Sequence, residues 1–151
     1  MIEILLILFL LLISNINISS LISTYYYKKN IYKIGYKSAG ASNIYTLYGL
    51  KPAIIAGLFD FWFKGFIPIF FLNYFNVNNL IYCFSLILIV FFHMFSVFEK
   101  FQGGRGILNS LGIICAVGLW KEAIIVVIIF KSLEYFLWKN NALSTFLGII
   151  A

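Results

Sequence analysis

Residues 52–72 read PAIIAGLFDFWFKGFIPIFFL, an apolar run interrupted by Asp60, Lys64 and Gly65. A helix needs about 20 apolar residues to cross the hydrocarbon core of a bilayer, and this run has that length. Its neighbours repeat the pattern. Leu80–Phe98 is a second such run and ends near His93, and Met1–Ile22 is a third at the start of the chain. Ile107–Leu119 is too short to cross untilted, Ala123–Trp138 carries Lys131 and Glu134, and Ala142–Ala151 is an apolar end of ten residues. Pro52 suits the opening of its helix, where a missing donor costs nothing. Pro68, late in the same helix, is expected to kink or end it.

Composition agrees with the spans. Of 151 residues, 63% are hydrophobic, 20% aromatic and only 11% charged, and the mean hydropathy is +1.01. A soluble domain carries about 25% charged residues, so this chain lacks the polar cover for a water-facing surface. The same figures exclude disorder, which requires low hydrophobicity and high charge. They also exclude a soluble enzyme and a free nucleic-acid binder. The expected fold is an all-α, polytopic transmembrane helix bundle of about five spans, formed as a single domain over residues 1–151. Met1–Ile22 lacks the basic start of a signal peptide and carries Glu3, so it reads as a first span. Its second half, with Ser14, Asn15, Asn17, Ser19 and Ser20, is expected to face other helices. Cys83 and Cys115 lie inside apolar runs without metal-type spacing and read as small packing side chains.

Charge placement sets the orientation. Thr24–Lys51 holds Lys28, Lys29, Lys33, Lys37 and Lys51 and no acid, whereas Asn73–Asn79 has no charge. Glu99–Arg105 is charged again, with Lys100 and Arg105. The alternation fits an outside N-terminus and two cytoplasmic, glycine-containing basic loops. The net charge of +6 therefore reflects membrane orientation rather than nucleic-acid binding.

Three features carry chemistry. The loop Gly35-Tyr36-Lys37-Ser38-Ala39-Gly40-Ala41-Ser42-Asn43 is rich in small residues. Successive amides of such a loop can cradle an anion, although an ordinary flexible loop has the same composition. Asp60 and Lys64 stand at i and i+4 on one helix face. They form either a neutralising pair that packs the bundle or a lysine steadied by Asp60 and aimed at an anionic substrate. His93-Met94-Phe95-Ser96-Val97-Phe98-Glu99-Lys100-Phe101-Gln102-Gly103-Gly104-Arg105-Gly106 is the most informative stretch. Three glycines around one arginine, opening a helix, expose amides and a helix dipole to phosphate, and Arg105 adds a bidentate donor. His93 at the end of a span reads as an interfacial histidine or as part of the site.

These residues resemble the bacterial acyl-phosphate:glycerol-3-phosphate acyltransferases, the PlsY family. That family's third motif runs His-x-Phe-Pro-Val-Phe-x-x-Phe-x-Gly-Gly-Lys-Gly. Here it reads His93, Phe95, Ser96, Val97, Phe98, Phe101, Gly103, Gly104, Arg105 and Gly106, with Pro and Lys replaced by Ser96 and Arg105. The first motif, Gly-Ser-Gly-Asn-x-Gly-Ala-Thr-Asn, is matched by Gly35 and by Gly40-Ala41-Ser42-Asn43. Its serine falls on Tyr36, with Ser38 nearby, and an arginine three residues past its asparagine falls on Thr46. Asp60 and Lys64-Gly65 correspond to the second motif.

The resemblance implies a shortened version of a seven-helix architecture, without the family's C-terminal spans. It implies acyl transfer from an acyl-phosphate to the 1-hydroxyl of glycerol 3-phosphate, giving lysophosphatidic acid for phospholipid synthesis. The implied setting is a multi-pass protein of the bacterial inner membrane with its site on the cytoplasmic side. The partners would be the two substrates and membrane lipids, with no metal or organic cofactor. His93 and Lys64 would be catalytic and Asp60 supporting. Ser38, Gly40, Ala41, Ser42, Asn43, Gly103, Gly104, Arg105 and Gly106 would bind substrate phosphates. A homologue that binds lipid phosphate or a partner with little turnover, and a small membrane transport component, are the alternative readings.

Overall fold

The computed structural model describes residues 2–138, and every regular element among them is helical. The order is α1 (Ile2–Asn15), α2 (Ile18–Tyr25), a short 3-10 turn at Ile31–Lys33, and α3 (Ala41–Tyr48). Then come α4 (Leu50–Leu58), a π-helical segment Phe59–Phe66 and α5 (Ile67–Tyr74), which join as one continuous helix, Leu50–Tyr74. After these come α6 (Asn79–Met94), a 3-10 turn at Val97–Glu99, α7 (Ile107–Ala116) and α8 (Trp120–Trp138). The apolar end Ala142–Ala151 lies outside the described residues.

Leu50–Tyr74 has 25 residues and would extend about 37 Å at 1.5 Å per residue, enough for a core of about 30 Å. Pro52 stands in its first turn, as expected. Pro68, expected to kink or end it, does not end it. The reason is the π register upstream, where the Ile67 amide bonds back to the carbonyl of Trp62, five residues earlier. The α-helix restarts at Ile67, so Pro68 again occupies a first turn, where its absent donor is not missed.

The first span is also modified. It breaks at Ile16-Asn17, and its two halves are bent by 42°. Ser14 and Asn15 turn their side chains back onto the carbonyls of Leu10 and Leu11 at 2.8 Å, which competes with backbone helix bonding. The freed carbonyl of Asn15 accepts the Ser96 hydroxyl at 2.6 Å, and its side-chain oxygen accepts the Val97 amide at 2.7 Å. At the opposite end, Glu3 accepts the Asn78 amide. Hence α1 and α6 lie side by side and run in the same direction, and the loop after α6 is pinned to the break after α1.

The distribution of side chains is inverted relative to a soluble protein. Ser14, Asn15, Asn17, Ser19, Ser20, Ser23, Asn43, Asp60, Lys64, His93 and Asn109 are buried. Leu5, Ile55, Ile87, Ile125 and Ile128 are each more than half exposed. Such an apolar exterior suits hydrocarbon. A smaller core of Leu6, Leu10, Ile69, Leu72, Val77, Ile89 and Ile113 joins α1, α5, α6 and α7. Where the π segment crosses α7, Gly65 meets Gly112 backbone to backbone, the close approach that small residues allow. At ten residues α7 extends about 15 Å, half a bilayer core, in line with its expected shortness.

Candidate active site

Two loops and one buried side-chain group meet at the end of the bundle where α1 and α6 finish. The first loop is organised by Asn43, in the first turn of α3. Its Oδ1 accepts the Tyr36 amide at 2.9 Å. Its Nδ2 donates to the carbonyl of Ser38 at 2.9 Å and lies 3.3–3.4 Å from those of Ile34 and Ile31. Gly35 has φ +56, and a Cβ there would collide with Asn43 Oδ1, so glycine is required. Asn43 is among the expected phosphate-binding residues, and its side-chain amide is committed to the loop backbone. The loop delivers Ser38, whose buried hydroxyl has no partner among the described residues. It also delivers the start of α3, where Gly40 is the cap, followed by Ala41 and the exposed Ser42. The first amides of a helix have no partner within it.

The second loop folds back on itself. Phe101 donates its amide to the Ser96 carbonyl at 2.8 Å, and Lys100 and Phe101 both adopt left-handed backbone, at φ +56 and +62. Gly106, at φ +79, caps α7 and turns its first amides toward the end of the bundle. The loops then join. Ala39 donates to the Gly103 carbonyl at 3.0 Å, and Gly104 donates to the His93 carbonyl at 3.1 Å. A Cβ on Gly103 would collide with the carbonyls of His93 and Met94, and one on Gly104 with His93 Nε2. Arg105 places its guanidinium over the Tyr36 ring, 5.3 Å from the centroid. Tyr36, at the serine position of the first motif, thus holds the arginine of the third. Thr46, at the arginine position, turns its hydroxyl to the Ser42 carbonyl at 3.1 Å.

Beneath the loops lies the ionisable group. Lys64 Nζ is 3.3 Å from Asp60 Oδ1 and 2.9 Å from His93 Nδ1. All three side chains are buried, Lys64 completely. The sequence pairs Asp60 with Lys64. The structure adds His93 and turns Lys64 toward it, so the lysine lies behind the loops.

Residues missed from sequence share the neighbourhood. Tyr32 directs its hydroxyl at the Gln102 carbonyl, 3.5 Å away. Burial, and secondarily the Glu99 carboxylate, push its phenol well above the usual tyrosine range, so it remains a protonated donor. Asn109, in the first turn of α7, is completely buried, and its Oδ1 has no partner among the described residues. A polar residue inside an apolar helix was its only signal.

An apolar exterior, buried polar side chains and two amide-rich loops joined at one end define an integral membrane protein with a candidate site at that end. The chain belongs to the glycerol-3-phosphate acyltransferase family, whose model matches residues 4–151. The glycerol-3-phosphate acyltransferase of Mycoplasma mobile is 30% identical over 156 aligned positions, covering 96% of this chain and 62% of that protein. The Phytoplasma australiense enzyme is 38% identical over 104, covering 60% of this chain and 46% of that protein. The chain thus spans about half to two thirds of the length of these relatives. The crystal structure of PlsY, an integral membrane glycerol 3-phosphate acyltransferase, in its glycerol 3-phosphate form superposes with a TM-score of 0.77 at 27% identity. That match covers 91% of this chain and 67% of PlsY. The lysophosphatidic acid form gives 0.72 at 26% identity.

Proposed function

We propose that this chain transfers a fatty acyl group from an acyl-phosphate to the 1-hydroxyl of glycerol 3-phosphate, releasing lysophosphatidic acid for phospholipid synthesis. The hydrogen bond from Ala39 to Gly103 carries the reading. It brings the unpaired Ser38 hydroxyl, the start of α3 and the Arg105 guanidinium to one place at one end of the bundle. Both substrates bear phosphate, and one also bears an acyl chain. The backbone amides of Gly40, Ala41, Ser42, Gly103 and Gly106, with Ser38 and Arg105, are the phosphate ligands, while the Gly104 amide is spent on the His93 carbonyl and holds the second loop in place. The acyl chain lies among apolar helices. An open cleft of about 320 Å³ lined by Phe61, Leu111, Cys115, Ala123 and Val127 beside α7 has the required surface.

An acyl-phosphate is already activated, so positioning and charge stabilisation supply most of the rate. His93 stands at the loop junction with Lys64 and Asp60 behind it. The lysine-rich first loop and Arg105 support a cytoplasmic setting for this end, in a bacterial inner membrane.

A second reading, a lipid-phosphate binder with little turnover, is favoured by Tyr36 and Thr46 at two motif positions. Membranes containing the chain, given palmitoyl phosphate and labelled glycerol 3-phosphate, decide between the readings. Labelled lysophosphatidic acid whose formation at sub-saturating substrate falls sharply with Arg105→Ala supports the enzyme. Binding of labelled glycerol 3-phosphate with no product at any substrate level supports the binder.

A further inference from the structure

We infer that the buried Lys64–Asp60 pair locks His93 in one tautomer and makes it a hydrogen-bond donor to substrate rather than a base. The donor role rests on the acyl-transfer reading, whereas the lock stands on geometry alone. An ammonium has donors only. Lys64 Nζ, 3.3 Å from Asp60 Oδ1 and 2.9 Å from His93 Nδ1, gives one proton to each. Asp60 Oδ1 is 3.8 Å from Nδ1, too far to accept a proton from it. Nδ1 therefore presents its lone pair to Lys64, and the ring proton sits on Nε2.

The competing arrangements are costly. An imidazolium would set an Nδ1–H against an ammonium at 2.9 Å. A neutral lysine accepting from Nδ1–H would leave the Asp60 carboxylate buried without a cation.

Nε2 faces away from Lys64 and abuts Gly104, where an added Cβ would also lie 2.9 Å from the Ala39 carbonyl. The Nε2–H is thus presented where the two loops join. With Nδ1 occupied and Nε2 protonated, the ring has no lone pair for the proton of an attacking hydroxyl. It can donate to an oxygen on which negative charge develops. Lys64 and Asp60, which act through His93, are positioning residues.

His93 is the only histidine in the chain, so [15N]histidine labelling reports on it alone. In nanodiscs near neutral pH, the wild-type protein should show unprotonated Nδ1 and protonated Nε2 as the dominant form. Lys64→Arg should keep that bias and Lys64→Met should lose it severalfold. A dominant Nδ1–H form or imidazolium in the wild type overturns the lock, as does an unchanged bias in Lys64→Met. The donor role is read from turnover. His93→Gln supplies an amide N–H near the Nε2 position without basicity and should keep kcat within about tenfold of wild type, whereas His93→Ala loses about 100-fold. Equal loss in both variants overturns it. If the wild type makes no product, the acyl-transfer reading fails and the labelling result still decides the lock.

Discussion

Gly65→Ala isolates the geometry that holds α7, and with it Arg105, against the rest of the site. A Cβ on Gly65 would stand 2.5 Å from the Asn109 carbonyl oxygen and 2.8 Å from Gly112 Cα. Ordinary contact begins at 3.4 Å, so α7 must retreat by about 0.9 Å. Both obstacles are backbone atoms, and no side chain can rotate aside. Overpacking of this kind costs about 1–3 kcal/mol. Arg105 lies two residues before α7, so the retreat also moves the guanidinium away from Ser38 and the first loop. A misplacement of about 1 Å at a reacting centre lowers the rate by about 100-fold. Gly57→Ala is the control, because its Cβ crowds the flexible end of the Leu108 side chain at 3.2 Å and lies in ordinary contact with Ala41 Cβ at 3.5 Å, with no backbone atom in the way. Thermal unfolding in detergent and acyl transfer in nanodiscs read the two effects. A Gly65→Ala protein that melts and turns over like Gly57→Ala would refute the role given to the crossing.

Asn43→Ala should strip the first loop of its organiser and destabilise the protein by about 1–3 kcal/mol, seen as a lower melting temperature and faster proteolysis at Lys37. Asp60→Ala leaves Lys64 buried without its carboxylate and should cost about 3–5 kcal/mol. The Asp60→Ala/Lys64→Ala double variant should recover part of that loss in the same melt, and a double variant no more stable than the single one would contradict the pairing. Arg105→Ala should raise the KM for a phosphate-bearing substrate by about 10- to 100-fold, the worth of one charge-assisted hydrogen bond, and Arg105→Lys should restore part of it in a steady-state assay.

Much of the fold is legible in residue types. Twenty or so apolar residues between polar ends can satisfy their backbone only as helices in lipid, and the spans follow. The polar second half of the first span reads correctly as buried, because Ser14, Asn15 and Ser19 face protein. Its break at Asn17 is not legible, since it depends on Ser96 and Val97, some 80 residues away, drawing on Asn15. Pro68 misleads because a local rule ignores the π turn that resets the helix before it. α3 escapes notice because eight residues between Gly40 and Gly49 carry too little periodicity.

At the site, the glycines and Arg105 are legible from the chemistry of phosphate. The direction of Lys64 and the task of Asn43 are not, because each is set by partners on other elements or in a folded loop. His93, read from sequence as an interfacial histidine or as part of the site, becomes the link between the ion pair and the second loop once α6 lies beside the π segment.

Calorimetric binding of glycerol 3-phosphate to the protein in nanodiscs, carried through a double-mutant cycle of Ser38→Ala and Arg105→Ala, tests most directly whether the two loops form one phosphate pocket. A shared pocket requires the two losses to be non-additive, with a coupling of at least about 0.5 kcal/mol. Strictly additive losses, or wild-type affinity in either single variant, would mean that the loops do not hold the same phosphate.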